Sequence, residues 1–191
     1  MKDFETIGDI IYSNQDAKLT KLDWNLKEPF KGRLLLELES LSFIHEFGRN
    51  TAWLGEEGLN YPYANKDHLA TGWTARTKIL TNALHDRLGE EFNHLLVNQY
   101  LPGQKLNPHK DDEPELKGAI ASLSLGDTAT FDFTAGNIDL HDGDFIIGNR
   151  KFFNQLKHSI SISHNNEIRY NLTWRNVTHE PIEEYDTIRP R

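Results

Sequence analysis

Arg169-Tyr170-Asn171-Leu172-Thr173-Trp174-Arg175 is the stretch whose reading decides the architecture. Polar and apolar residues alternate through it, and successive side chains of an extended strand leave on opposite faces. Arg169, Asn171, Thr173 and Arg175 therefore share one face, while Tyr170, Leu172 and Trp174 share the other. The apolar face is expected to pack on helices. The polar face either meets water on an edge strand or points into a barrel. In a barrel two buried guanidinium groups are costly without anionic partners, and a dicarboxylate supplies them through bidentate contacts.

Upstream of this stretch the chain reads as short strands separated by turn residues. Leu95 to Tyr100 ends at Pro102-Gly103, Ala119 to Leu125 ends at Gly126-Asp127, and Thr128 to Phe133 precedes Gly136-Asn137. Gly143-Asp144 introduces Phe145-Ile146-Ile147, and Ser159 to Ser163 alternates like a strand. Between Thr74 and Phe92 the period changes. Ile79, Leu80, Ala83, Leu84 and Leu88 recur at three- and four-residue steps and Gly89 offers a stop, which predicts a helix. Arg33 to Glu39 fits either a helix or a buried strand. Helical segments followed by closely spaced strands point to a β-sandwich or barrel with helices on one side, and any chemistry belongs in the barrel mouth.

Two further stretches carry candidate chemistry. His109-Lys110-Asp111 puts an imidazole and a carboxylate two positions apart, so on extended chain both leave the same face and can meet one ion. With nine histidines in 191 residues, about one such pair arises by chance, and a polar surface loop is the plain alternative. His158 stands before the alternating Ser159–Ser163 segment and upstream of the arginine strand. The order His-x-Asp, a distant His, then an Arg is that of the two-His, one-carboxylate facial triad, which leaves three positions on iron open.

Composition narrows the choice. The sequence holds no cysteine, so a metal must be held by imidazole and carboxylate. A net charge of −8 argues against a protein that coats nucleic acid non-specifically, since that affinity comes from Lys and Arg, yet it leaves room for a pocket that reads one nucleotide. With 37% hydrophobic and 26% charged residues the chain has ordinary globular values. Apolar runs such as Leu34 to Leu36 fall far short of the roughly 18 residues of a membrane span, and the start lacks the features of a signal peptide. A cytoplasmic protein without membrane association is expected.

These residues together resemble the AlkB-type nucleic-acid dealkylases, within the Fe(II)/2-oxoglutarate oxygenases. The similarity runs from about Arg49 to Asn176. It takes in Asn98-Gln99-Tyr100-Leu101-Pro102-Gly103, the iron motif His109-Lys110-Asp111-Asp112-Glu113-Pro114, Ala121 to Gly126, and the Arg-x-Asn-x-Thr-x-Arg signature of 169–175. The resemblance implies an α+β fold: a double-stranded β-helix (jelly-roll) core, N-terminal helices packed on one side, and a nucleotide-recognition lid. It implies that His109, Asp111 and His158 hold iron(II), that Arg169 holds the remote carboxylate of 2-oxoglutarate, and that Asn98, Tyr100, Asn171 and Arg175 complete that pocket. Through Arg49 to Gly55 and Leu59 to Tyr63, which are similar to the family's lid, it also implies substrate contacts: Trp53 stacked on a base, Tyr61 and Tyr63 on base or phosphate, and Asp112 on the base edge.

The chain is thus expected to be one domain over 1–191, with helices and substrate lid over about 1–94, the jelly-roll core over about 95–176, and a tail over 177–191. The reaction implied is oxidative demethylation of N-alkylated bases in single-stranded DNA or RNA, consuming 2-oxoglutarate and O2 and releasing formaldehyde and succinate, by a monomer. Ligation by neutral imidazole predicts that activity falls at acid pH. Two alternatives stand beside this reading. One is the same oxygenase chemistry on a small molecule, a free nucleotide or a protein side chain; the other is a barrel that binds nucleic acid or protein without turnover.

Overall fold

A computed structural model describes residues 7–64 and 66–178. In chain order the elements are β1 (Gly8–Ser13), β2 (Lys18–Leu22), α1 (Phe30–Glu39), β3 (Ile44–Glu46), β4 (Arg49–Gly55), β5 (Asn60–Tyr63), β6 (Lys66–Leu69) and α2 (Ala75–Leu88). They continue with β7 (His94–Tyr100), β8 (Leu106–His109), β9 (Leu116–Gly126), β10 (Ala129–Phe133), β11 (Gly136–Leu140), β12 (Phe145–Gly148), α3 (Arg150–Gln155), β13 (His158–Ile160) and β14 (Arg169–Val177). An eight-stranded sheet, ordered β1-β2-β12-β9-β14-β7-β4-β3, faces a four-stranded sheet ordered β11-β10-β13-β8. All pairings are antiparallel, and β5 and β6 form a separate hairpin. No helix among the described residues is long and apolar enough to cross a membrane.

The arginine stretch becomes β14, in the interior of the large sheet between β9 and β7. Its two faces separate as alternation requires. Tyr170, Leu172 and Trp174 join a core with Leu80, Leu84 and Leu88 of α2 and Leu34 and Leu38 of α1. Trp174 is fully buried, and its indole N–H donates to Thr81 Oγ1 at 2.9 Å. The other face, with Arg169, Asn171, Thr173 and Arg175, turns toward the second sheet, so the edge-strand alternative falls away.

The helices explain themselves locally. Thr74 caps α2, its hydroxyl accepting from Thr77 N while Thr77 Oγ1 accepts from Thr74 N. Gly89 ends the helix at φ +68, a left-handed conformation that glycine takes without steric cost. The ambiguous segment Arg33 to Glu39 is helical: Leu34 and Leu38 are buried one turn apart, and Leu36, on the far side, is 66% exposed.

Two expectations change. The fold is mostly β with few helices, rather than α+β, because residues before 95 supply six strands, four of which extend the large sheet. Periodicity missed them because β1 and β3 to β6 are short and lack clean alternation of buried and exposed residues. The strand expected over Ser159–Ser163 stops at Ile160, where Ser161 N turns to the Thr130 carbonyl. At the other end β14 runs to Val177, and the expected tail beyond Thr178 lies outside the described residues.

Candidate metal centre and co-substrate pocket

The smaller sheet places the two histidines. His109 ends β8, His158 begins β13, and they are direct partners in the pairing of those strands, with ring centroids 4.3 Å apart. Each Nδ1 lies within hydrogen-bond distance of a backbone carbonyl, Asn107 O at 3.0 Å for His109 and Leu156 O at 3.2 Å for His158. A carbonyl can only accept, so Nδ1 carries the proton and Nε2 presents its lone pair, the orienting arrangement common to metal-binding histidines. Asp111 follows on a loop. Its backbone N–H donates to Phe153 O, and Arg150 of α3 donates to the carbonyls of Asp111, Glu113 and Leu116. The carboxylate then lies 3.9 Å from each Nε2, and the three donor atoms fall within 4.8 Å of one another. Two imidazoles and one carboxylate, with no thiolate, are the donors that suit Fe(II) with open positions.

Charge in this corner is arranged to keep the donors in their binding forms. Burial alone would raise the Asp111 carboxyl, but the Arg175 guanidinium and the two imidazoles outweigh it and hold it at about 2. Arg175 Nη2 lies 3.2 and 3.3 Å from the two carboxylate oxygens. Burial, then the facing His158, pushes His109 down to about 4, and burial lowers His158 as well. All three groups are in the ligating state at neutral pH.

Across the large sheet runs a polar ladder fixed by strand register. Asn171 of β14 stands opposite Asn98 of β7 and Ser124 of β9. Asn98 donates to Asn171 Oδ1 and accepts from Arg49 Nε, while Asn171 donates to Ser122 Oγ and accepts from Thr173. Arg169 is fully buried, donates to Ser124 Oγ at 2.7 Å, and has its guanidinium 5.4 Å from the Tyr100 ring centroid. Arg169 Nε and Nη1, Arg175 Nε and Nη1 and the Tyr100 hydroxyl are buried and find no partner among the described residues. Donors left so deep in a protein are costly, and an anion bearing several acceptor oxygens satisfies them. The residues present therefore fit a dicarboxylate.

Most of these groups line one cavity, of about 580 Å³ with its open mouth included. Its lining takes in His109, Asp111, His158, Asn98, Tyr100, Asn171 and Arg175, with Tyr61 and Tyr63 from the β5–β6 hairpin. Arg169 is not in the lining but lies against Tyr100. Two residues assigned substrate contacts by resemblance are placed elsewhere. Trp53 is 5% exposed: its indole N–H donates to buried Glu46, which also accepts from Thr51, and its ring lies 3.9 Å from that of His68. Asp112 is exposed and outside the cavity, because Asp111, its neighbour on the loop, turns inward. Sequence reasoning gave no role to Arg49, which lines the cavity at 2% exposure, or to Arg150, which pins the metal loop. Only the polar position of Arg49 on a strand of inward-facing residues hints at it, and nothing local marks Arg150.

A facial triad between the two sheets of a double-stranded β-helix, beside buried arginines on the facing sheet, defines an iron-dependent oxygenase that takes an oxo-acid co-substrate. The chain belongs to the 2OG-Fe(II) oxygenase superfamily, whose family model matches residues 14–175. It is 31% identical over 188 residues to the human alpha-ketoglutarate-dependent dioxygenase alkB homolog 3, covering 83% of this chain and 63% of that protein. It is 38% identical over 93 residues to the AlkB dioxygenase of Salmonella typhimurium, covering 42% of this chain and 43% of that one. The mouse DNA oxidative demethylase ALKBH2 is 32% identical over 92 residues, covering 47% of this chain and 38% of that protein. The chain thus spans less than two thirds of the length of these relatives. Among solved structures, one titled "The structure of OsALKBH1" aligns over 87% of this chain and 99% of that one, with a TM-score of 0.63 and 20% identity, which bears on the fold.

Proposed function

We propose that this chain is an Fe(II)/2-oxoglutarate-dependent oxidative demethylase of N-alkylated bases in single-stranded DNA or RNA, releasing formaldehyde and succinate. The observation that carries the reading is a pair of tyrosines, Tyr61 and Tyr63, in the same cavity as the His109-Asp111-His158 triad. Aromatic faces grip an extruded or unpaired base, and the metal end is where its alkyl group would react. Burial raises both phenols, so they stay neutral donors at physiological pH. The name of the mouse relative, DNA oxidative demethylase ALKBH2, favours a nucleic-acid substrate.

In this reading iron with 2-oxoglutarate and O2 supplies the oxidising chemistry, and the chain's residues do the holding. His109, Asp111 and His158 supply the ligands, each oriented from behind by a backbone carbonyl or by Arg175. Arg169 takes the remote carboxylate of 2-oxoglutarate, with Tyr100, Asn98 and Asn171 fixing the rest of its path. Arg175 has a second duty, holding Asp111 ionised and in place. The net charge of −8 favours a short or single-stranded substrate over wrapped duplex. The experiment is mass spectrometry of a panel of N-methylated DNA and RNA oligonucleotides after incubation with Fe(II), 2-oxoglutarate and ascorbate. Loss of a methyl mass with matching formaldehyde is expected. Succinate production with no change in any oligonucleotide would overturn the nucleic-acid reading in favour of another substrate.

A further inference from the structure

Strand β12, the last before His158, is buried throughout and ends in a glycine. Glycine weakens a strand and often marks a place where another group comes close. Gly148 shares a face with Ile146, which lines the cavity, and pairs with Ile120 of β9. A Cβ placed on Gly148 would stand 2.5 Å from Cε2 of Phe153 and 3.3 Å from Cδ1 of Phe152, so the Phe153 ring lies directly on the strand backbone. Phe153 comes from α3, the six-residue helix that joins β12 to β13. It is 3% exposed, lines the cavity, and reaches two of the three triad residues through different groups. Its carbonyl accepts from Asp111 N at 3.1 Å, and its ring stands edge-on to His158, with centroids 5.2 Å apart and planes at 81°. The His158 ring also meets Phe131 at 5.6 Å and His109 at 4.3 Å. The Leu156 carbonyl holds one edge of that imidazole through Nδ1, but a single hydrogen bond leaves the ring free to tilt, and the packed rings fix the tilt.

We propose that Phe153, seated on Gly148, is a positioning residue of the metal centre: its ring sets the plane in which His158 presents Nε2, and its carbonyl steadies the Asp111 loop. The ring occupies the space that a side chain at 148 would need. Metal ligands depend on neighbours that fix their orientation, and loss of such a neighbour costs roughly 10- to 100-fold in metal affinity. Those neighbours are commonly hydrogen-bond partners. A packed ring does the same for His158, because a close-packed interior holds a side chain to one orientation. The inference rests on the triad and is independent of the substrate.

The test is titration with Mn(II) followed by electron paramagnetic resonance, which reads free metal and so gives affinity without turnover. Phe153→Leu keeps the carbonyl and much of the apolar volume but removes the flat ring. Gly148→Ala keeps the ring and pushes it off its seat with one methyl group; φ at Gly148 is not positive, so the backbone accepts alanine there. Each variant should bind Mn(II) about tenfold more weakly than the parent. Leu84→Val is the control, since Leu84 belongs to the core on the helix side of the large sheet. It should lower Tm by circular dichroism and still bind Mn(II) within about twofold of the parent, as expected of a distant site. Parental affinity in either Phe153→Leu or Gly148→Ala would overturn the proposal, as would an equal loss in Leu84→Val, which would trace the effect to stability alone. Should Phe153→Leu not fold, Gly148→Ala decides by itself. A parent that takes up no Mn(II) would sink the metal centre and this inference with it.

Discussion

Replacing Arg175 by Met removes the guanidinium from beside a carboxylate that is 2% exposed. At neutral pH Asp111 is ionised in the folded and the unfolded chain, and its shift from 3.8 to about 2 measures how far its surroundings favour that charge. Burial opposes that charge, and Arg175 is the largest contribution in its favour. The sign is that of a depressed carboxyl: this stability is complete above pH 3.8 and disappears as pH falls through 2. At pH 7.5 the metal-free variant should therefore lose about 3–5 kcal/mol, the range expected when one member of a buried pair is left alone. For a chain of this length that lowers Tm by about 6 to 20 °C. A divalent metal at the triad supplies the missing positive charge, so Mn(II) should raise the Tm of Arg175→Met by more than it raises that of the parent. Differential scanning calorimetry with and without Mn(II), on the parent, Arg175→Met, Asp111→Asn and the double variant, closes the cycle. The double variant should be more stable than Arg175→Met alone. An apo Tm within 1 °C of the parent, or equal metal-induced shifts in the two proteins, would refute this account of Asp111.

Arg169→Lys keeps the charge but loses the planar fork and the Ser124 contact, so the KM for 2-oxoglutarate in a succinate assay should rise about 10- to 100-fold; a change below twofold would remove Arg169 from the pocket. Trp174→Ala should cost about 3–5 kcal/mol in urea melts, since the ring is fully buried, stacks on Phe145 and binds Thr81; a loss under 1 kcal/mol would contradict the packing of this strand on α2. His109 stays neutral down to about pH 4, so the Mn(II)-induced Tm shift should persist at pH 5.5 and vanish by about pH 4. An unfolded imidazole gains its proton near 6.5 and the folded one only near 4, so metal-free stability should decline across that window as pH falls; loss of the metal shift already at pH 6.5 would contradict the burial argument.

The parts of the site legible in the sequence are those written in local order. The alternation of 169–175 foretold both faces of β14, because a strand's side-chain period does not depend on its neighbours. The triad was readable because its chain order and ligand chemistry, joined to the resemblance of the motifs around it, need no distances. Substrate contacts were harder. Trp53 and Asp112 occupy positions the resemblance marks, yet Glu46 and His68 claim the indole and the loop at Asp111 turns its neighbour outward. Arg49 left only the hint of its polar position on β4, and Arg150 left no local trace, since the side chain and carbonyls they hold in the site lie 34 to 49 residues away.

By itself, then, the sequence determined the metal donors, the polar and apolar faces of the arginine strand, and the α2 helix with its glycine stop. Only the tertiary structure decided that six strands precede residue 95, that His109 and His158 are paired across one sheet, and that Arg175 of the other sheet meets Asp111. Periodicity and capping act over a few residues and can be read along the chain. Strand partnership is chosen by register and burial among segments that local pattern leaves equivalent, and it exists only once the sheets have closed on each other.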